Sequence, residues 1–454
     1  MSHDPNVCCT EHGRAARAGA GLPAIEPGMP EPAGTGLSRR SVLLRAAGLG
    51  LAVYGAGKLA KLPAFEAGVA QAAAAPPGTV LLNVFLEGGC DGLSVLAPAG
   101  DPLYRRLRPT LAVSGRPFAE DPRLQWHPSA SALADLHAEG KVSVLPAVGY
   151  THPDQSHFTS RHFWEVGALD PHLRTGWLGR VLDLIGTPDN PLQGVSLDGQ
   201  LSPTLAAARN PVAAVDKPED VGFWTPGAWG PAEDLAVPAF TSLGHALAGS
   251  PDPAVAQAAK AAAFAGGLRD ALAPLGVDGK AAYTPAAAYP ASDDPFPRRL
   301  AGFAAMLAAG LPVRAAAITA PGAYDTHANQ ADTLPAALKL TCDALLAFQR
   351  DLEARGLADR VLTLVWSEFG RRAAENGSGT DHGAAGVGFL VGTRAAGRMI
   401  GEFPGLGKLD PQGNLRATAD FRGVYGALAG DWFGVDPAAV LPDARGIGRP
   451  VVVR

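Results

Sequence analysis

Five short apolar runs recur along the chain, and each is bounded by acids and histidines. They are TVLLNVFLE (79–87), KVSVLPAVG (141–149), VRAAAITA (313–320), RVLTLVWSE (360–368) and GVGFLVG (386–392). Near-continuous Val, Ile and Leu, with little polar alternation, is the pattern of a strand buried on both faces. Stretches with helical spacing lie between them, such as SASALADLHAEG (129–140) and TLPAALKLTCDALLAFQRDLEARG (333–356), the latter stopping at Gly356. Strands of this kind alternating with helices predict an α/β fold: a doubly wound, mostly parallel sheet with helices on both faces. Sheets of that class bind ligands in a crevice beyond the carboxyl ends of their strands.

The polar clusters fall where that crevice is expected. Asp91, in GGCDG, follows the first run. The second is followed by YTHPDQSHFTSRHF, with His152, Ser156, His157, Arg161 and His162. Asp325 and His327 follow the third run, Glu368 and Arg371 end the fourth, and Asp381-His382 directly precedes the fifth. A single such cluster reads as a turn or a helix cap. Five at one sheet edge have no structural reason to coincide, because Asp and His gain nothing there by themselves. Carboxylates mixed with imidazoles suit zinc, manganese or iron, whereas magnesium and calcium prefer oxygen alone. Asp325-x-His327 points two side chains the same way if that loop is extended. Ser156 reads as the N-cap of a helix over 157–166 and, compatibly, as a metal-activated nucleophile. Arg161 and Arg371 are candidates to neutralise an anionic group, and His152 and His157 to act as general acids.

The amino-terminal part reads as an address. SRRSVLL (38–44) sets Arg39-Arg40 before the apolar run Val42–Val53, and AQAAAAPP (70–77) supplies small residues for a signal peptidase. This is the twin-arginine export pattern, and the apolar stretch is too short and too rich in Gly and Ala to span a membrane permanently. The expected division is a removed segment at 1–74 and a mature chain at 75–454. That places the mature protein in the periplasm or outside the cell, with the translocase as its partner in export. A net charge of -5 with no basic stripe excludes a nucleic-acid partner. Residues from about 190 to 295 are rich in Pro, Gly and Ala, carry Trp224 and Trp229, and read as an insertion or cap with a helical piece near 252–275. Of the four cysteines, Cys8 and Cys9 precede the leader, and Cys90 and Cys342 are expected to stay unpaired.

The motifs LEGGCDGLSVLAP, QSHFTSRHFWEVG, YDTHANQ, SEFGRR and GTDHGAAGVGFLVG resemble the bacterial domain-of-unknown-function family 1501 of twin-arginine-exported proteins. That family looks like a distant branch of the alkaline phosphatase and sulfatase superfamily. The resemblance implies an alkaline-phosphatase-like sheet with a divalent metal (zinc, manganese, magnesium or calcium) at its carboxyl edge. Asp91, Asp325, His327, Glu368, Asp381 and His382 are its expected ligands. It also implies Ser156, or as an outside choice Cys90, as nucleophile. The activity implied is hydrolysis of phosphate or sulfate esters, on a small anionic ester or a polysaccharide. The alternative is an exported binding or assembly protein on a degenerate hydrolase scaffold, with Trp224 and Trp229 in its contact surface.

Overall fold

The computed structural model describes residues 51–54, 78–220, 231–277 and 279–454. Arg39 and Arg40, the small-residue stretch at 70–77, Trp224, Trp229, Cys8 and Cys9 lie outside the described residues.

Every apolar run becomes a strand, one to three residues shorter than the run at one or both ends where side chains turn polar or small. The strands of the main sheet are β1 (Leu51–Tyr54), β2 (Val80–Phe85), β3 (Val142–Gly149), β4 (Gly194–Ser196), β5 (Val212–Val215), β6 (Ala315–Thr319), β7 (Val361–Trp366), β8 (Gly386–Val391) and β9 (Ala419–Asp420). Their order is β1-β5-β4-β6-β2-β7-β8-β3-β9. All run the same way except β1 and β8, which pair antiparallel with their neighbours. Because β8 is reversed, its amino end lies at the edge where the others have their carboxyl ends. That reversal carries Asp381-His382 to the same edge as Asp91, Asp325 and Glu368.

The principal helices are α1 (Ser131–Ala138), α2 (His157–Val166), α3 (Trp177–Ile185), α4 (Pro231–Leu247), α5 (Pro253–Leu272), α6 (Phe296–Ala308), α7 (Gln330–Ala354) and α8 (Phe421–Ala427). They cover both faces. Alternate residues of a strand point to opposite sides, so Val80, Leu82 and Val84 of β2 pack with Leu133 of α1, Phe303 of α6 and Leu338 and Phe348 of α7. Leu81 and Phe85 pack on the other side with Trp164 of α2, Trp177 of α3 and Tyr425 of α8. Each such side chain contributes roughly 1.5–3 kcal/mol by leaving water. The doubly wound α/β reading holds.

The stretch 190–295, expected as an insertion or cap over the sheet, begins with strands of the sheet itself. β4 and β5 belong to the main sheet, and their few residues, flanked by Pro, Gly and Asp, carry too little periodicity to announce strands. The expected helical piece is α5, which buries Phe264, Leu268 and Leu272, whereas the preceding α4 leaves Leu235, Leu243 and Leu247 exposed. The last residues of the apolar leader run also enter the sheet, since β1 pairs with β5 from Leu51 opposite Val215 to Tyr54 opposite Val212. No helix among the described residues is long and apolar enough to cross a membrane.

Candidate metal centre at the sheet edge

His157, Asp325 and His382 converge at this edge. Each offers one ligand atom, and these atoms all lie within 4.8 Å of one another. The sequence around each explains its placement. α2 starts after Ser156, whose hydroxyl accepts from the Phe158 amide at 3.2 Å, and ends at Gly167 in the left-handed region. His157 is therefore the first helical residue, held beside the ends of β2 and β7. Asp325 sits in the loop after β6, and His382 just before β8.

Both imidazoles are held in orientation. The His382 Nδ1 lies 2.8 Å from the Gln155 carbonyl, which can only accept, so Nδ1 carries the proton and Nε2 turns to Asp325 Oδ1 at 3.4 Å. His157 Nδ1 donates to Glu368 Oε1 at 2.8 Å, which turns its Nε2 to Asp325 Oδ2 at 3.5 Å. Donors at about 2.0–2.2 Å from a tetrahedrally bound ion lie roughly 3.3–3.6 Å apart, so these separations fit an ion placed among them. An acceptor behind each metal-facing imidazole is the usual outer support of such sites.

Glu368 supports the site from behind and does not face the ion. It is buried, and its oxygens accept from the amides of Gly88 and Gly89, from the Ser367 hydroxyl and from His157. Burial opposes its ionisation, but the contact with His157 and these donors outweigh that and hold its carboxyl down to about 2. The Gly88-Gly89 pair is required here. Both have positive φ, and a Cβ would fall 2.3 Å from the Asp325 amide nitrogen at Gly88 and 2.1 Å from the Phe369 ring at Gly89.

Asp91 is held apart from the three ligand candidates. It is fully buried and caps the short helix Gly92–Val95, accepting from the Leu93 amide and the Ser94 hydroxyl. Both of its oxygens also receive the Arg108 guanidinium, at 2.5 and 2.9 Å, and Oδ2 receives Gln330 Nε2 at 2.5 Å. Five donors use up the roughly four lone-pair directions of a carboxylate. A metal-ligand role for Asp91 does not fit this environment.

The remaining candidates scatter around the site. His327 lies at its rim, Nε2 3.3 Å from Asp325 Oδ1 and Nδ1 3.6 Å from Asp381 Oδ1. Asp381 is half exposed and accepts from Asn376 at 2.9 Å. Arg371 is buried and bonds Asp325 Oδ1 at 2.5 Å, with the carbonyls of Gly88, Gly89, Thr380 and Tyr324 as its other acceptors. Arg161 pairs with Glu87 at 2.5 Å and Glu165 at 2.8 Å and lies over the Phe85 ring. Neither arginine is left to clamp an anion. His152 is exposed, with positive φ. Cys90 and Cys342 are unpaired and buried, and burial followed by the charge of Asp91 pushes the Cys90 thiol up, against a nucleophilic role. Sequence reading missed Arg108 and Gln330, and gave His157 an acid–base role instead of a ligand position. The signal for His157 was present: it is the first residue of a capped helix following a buried strand.

Electrostatics favour a neutral His382 and an ionised Asp325, the forms a metal takes. Burial disfavours ionised Asp325, but His157, His382 and the Arg371 charge override it and hold its carboxyl far below the usual range. Burial, aided by the charges of His157 and Arg371 against the pull of Asp325, brings His382 down to about 4. In the unfolded chain that imidazole titrates near 6.5. A base whose folded value is depressed adds stability above its unfolded value and loses it as pH falls. His382 should therefore contribute on the order of 3 kcal/mol at neutral pH that disappears from about pH 6.5 down to about 4. In chelator-treated protein, His382→Asn should flatten the fall of melting temperature across that window. An unchanged slope would show that His382 is not the responsible group.

Residues 248–434 match the family described as "Protein of unknown function (DUF1501)". That span contains Asp325, His327, Glu368, Arg371, Asp381 and His382 but neither Asp91 nor His157. No curated protein matches the chain. Among solved structures, Ps i-CgsB in complex with k-i-k-neocarrahexaose is 12% identical, covering 80% of this chain and 73% of its own at a TM-score of 0.34. The PsFucS1 sulfatase from Pseudoalteromonas sp. is 11% identical, covering 91% and 74%, at a TM-score of 0.30. Likeness at that level decides nothing about the chemistry of this chain.

Proposed function

We propose that the chain is an exported, metal-dependent hydrolase acting on phosphate or sulfate esters. The observation that carries the reading is the convergence of His157, Asp325 and His382, with both imidazoles turned inward by Glu368 and Gln155. These three would hold the ion, with His327 at the rim. When bound, a divalent cation there supplies Lewis-acid polarisation of an ester oxygen and brings the pKa of water down to about 7. The protein's own groups set the stage. Arg371 holds Asp325 in place, Glu368 holds the His157 tautomer, and Ser156 stands one residue before His157 with its hydroxyl accepting from the Phe158 amide. The substrate is a small anionic ester or an esterified polysaccharide.

The test is elemental analysis together with a panel of aryl phosphate mono- and diesters and aryl sulfates, assayed with zinc, manganese, magnesium and calcium. Wild type should turn over at least one ester, and the His157→Ala, His382→Ala double variant none. No difference between them on any ester removes ester hydrolysis. Turnover that survives Ser156→Ala assigns attack to water and removes only the serine.

A second reading is favoured by one contact. The Arg371 guanidinium already neutralises Asp325 at 2.5 Å, as it would in a scaffold that has given up its ion and serves binding or assembly. Less than about a tenth of an equivalent of any metal, with no rise in melting temperature on adding one, selects that reading.

Export by the twin-arginine route, to the periplasm or beyond, is proposed from Arg39-Arg40 and the run after them. Arg39→Lys with Arg40→Lys should hold the precursor in the cytoplasm on cell fractionation. Undiminished export of that variant removes the proposal.

A further inference from the structure

Beside the candidate metal centre lies a buried polar cluster. Its hub is Gln330, the first residue of α7, 2% exposed. The Gln330 Oε1 accepts from Thr326 Oγ1 at 2.9 Å and from Thr380 Oγ1 at 2.7 Å. Its Nε2 donates to Asp91 Oδ2 at 2.5 Å and to Ser94 Oγ at 3.2 Å. All four carboxamide positions used are thus satisfied, with one end reserved for donors and the other for acceptors.

The partners matter because of their neighbours in the chain. Thr326 stands between Asp325 and His327. Thr380 directly precedes Asp381-His382, its amide donates to the Thr326 carbonyl at 3.0 Å, and its own carbonyl accepts from Arg371. Asp91 follows the Gly88-Gly89 turn that holds Glu368. Arg108, bound to Asp91, reaches the carbonyls of Arg372 and Ala373 beyond Arg371. One carboxamide therefore joins the loops that carry Asp325 and His382 to the Asp91 turn, and it adds to the isolated antiparallel bridge that pairs His382 with Arg371.

We infer that Gln330 is a positioning residue for the metal centre, clamping the Asp325 and His382 loops to the Asp91–Arg108 pair. This rests on the proposal that His157, Asp325 and His382 hold a metal. Outer supports of metal ligands set affinity by about 10–100-fold, and a loop that can slide loses the convergence on which the three donors depend.

The test measures zinc and manganese affinity by chelator competition, with ¹⁵N-histidine spectra of the metal-free protein as a second readout. Gln330→Met, of similar length, should weaken both metals by about 10–100-fold while the unliganded fold still melts cooperatively. Gln330→Glu, which sets a carboxylate against Asp91, should lose more. Thr326→Val with Thr380→Val removes both donors to the Gln330 Oε1 while leaving the Asp91–Arg108 pair intact, and should weaken both metals in the same direction as Gln330→Met. The His382 ring should hold the single Nδ1-protonated tautomer in wild type, and become a mixture in Gln330→Met and in the double valine variant. A folded Gln330→Met with wild-type affinity and an unmixed His382 tautomer overturns the inference. So does a folded double valine variant with wild-type affinity and an unmixed His382 tautomer, which stands in as the test if Gln330→Met does not fold. If wild type binds no metal, the metal reading has failed, and the tautomer comparison alone decides whether Gln330 positions the His382 loop.

Discussion

Arg108→Ala should lower the stability of the folded chain by about 3–5 kcal/mol. The guanidinium is fully buried, and so is its partner Asp91. Removing it leaves a carboxylate without its counter-ion, with only neutral donors from Leu93, Ser94 and Gln330. It also strips the Arg372 and Ala373 carbonyls of their donor. The direction of the titrations agrees. Burial works against charge on both groups, yet the attraction between them holds Asp91 below and Arg108 above the ordinary values. Domains typically hold only about 5–15 kcal/mol in total, so the variant should lose a large share of its margin. Asp91→Leu with Arg108→Met keeps the volume and removes both charges, and should be less damaged than the sum of the single changes. Melting at a fixed scan rate across the cycle checks this. A stable Arg108→Ala, or strictly additive losses, would mean that the pair is not coupled as its geometry requires.

His157→Ala and His382→Ala should each weaken zinc or manganese binding by more than about 100-fold, the upper end of what loss of an outer support produces. The stabilisation of about 2.7 kcal/mol that a ligand gives at 100 times its dissociation constant should vanish with it. Imidazole is the right target. Asp325→Ala would also strand Arg371, which is buried and has only carbonyls besides Asp325 to accept from it, so that variant confuses lost metal with lost fold. Glu368→Gln tests the support alone. It keeps the shape but weakens acceptance from Gly88, Gly89 and His157, and should fall between wild type and His157→Ala. Retained stoichiometric metal in the His157→Ala, His382→Ala double variant would place the ion elsewhere.

The sequence determined the fold class and the edge at which chemistry sits. Near-continuous apolar runs cannot be satisfied on a sheet with one wet face, so β2, β3, β6 and β7 had to be covered twice, and helices had to cross between them. Ser156 before an apolar-periodic stretch fixed the start of α2 at His157. The polar residues after those strands were then bound to emerge at one edge, and His157 and Asp325 do, whereas His382 joins them only because β8 is reversed. What the runs could not carry was direction: nothing local marks β8 as reversed, and β4 and β5 are too short to show a period.

Roles within the edge were decided only by tertiary structure. Asp91, Asp325 and Glu368 are chemically near-equivalent in sequence, each an acid beside a strand end. Their fates differ because of donors far away in the chain. Arg108 lies 17 positions from Asp91 and Gln330 lies 239 away, and together with the local cap they take up its oxygens. Glu368 is taken by the Gly88 and Gly89 amides and by His157, 211 positions away, and is left orienting an imidazole. Asp325 meets Arg371 on one oxygen and the imidazoles of His157, His327 and His382 across both, and stands where a cation fits. A carboxylate binds a metal only with lone pairs that no other donor has claimed, and which donors reach it is set by the packing of the whole sheet.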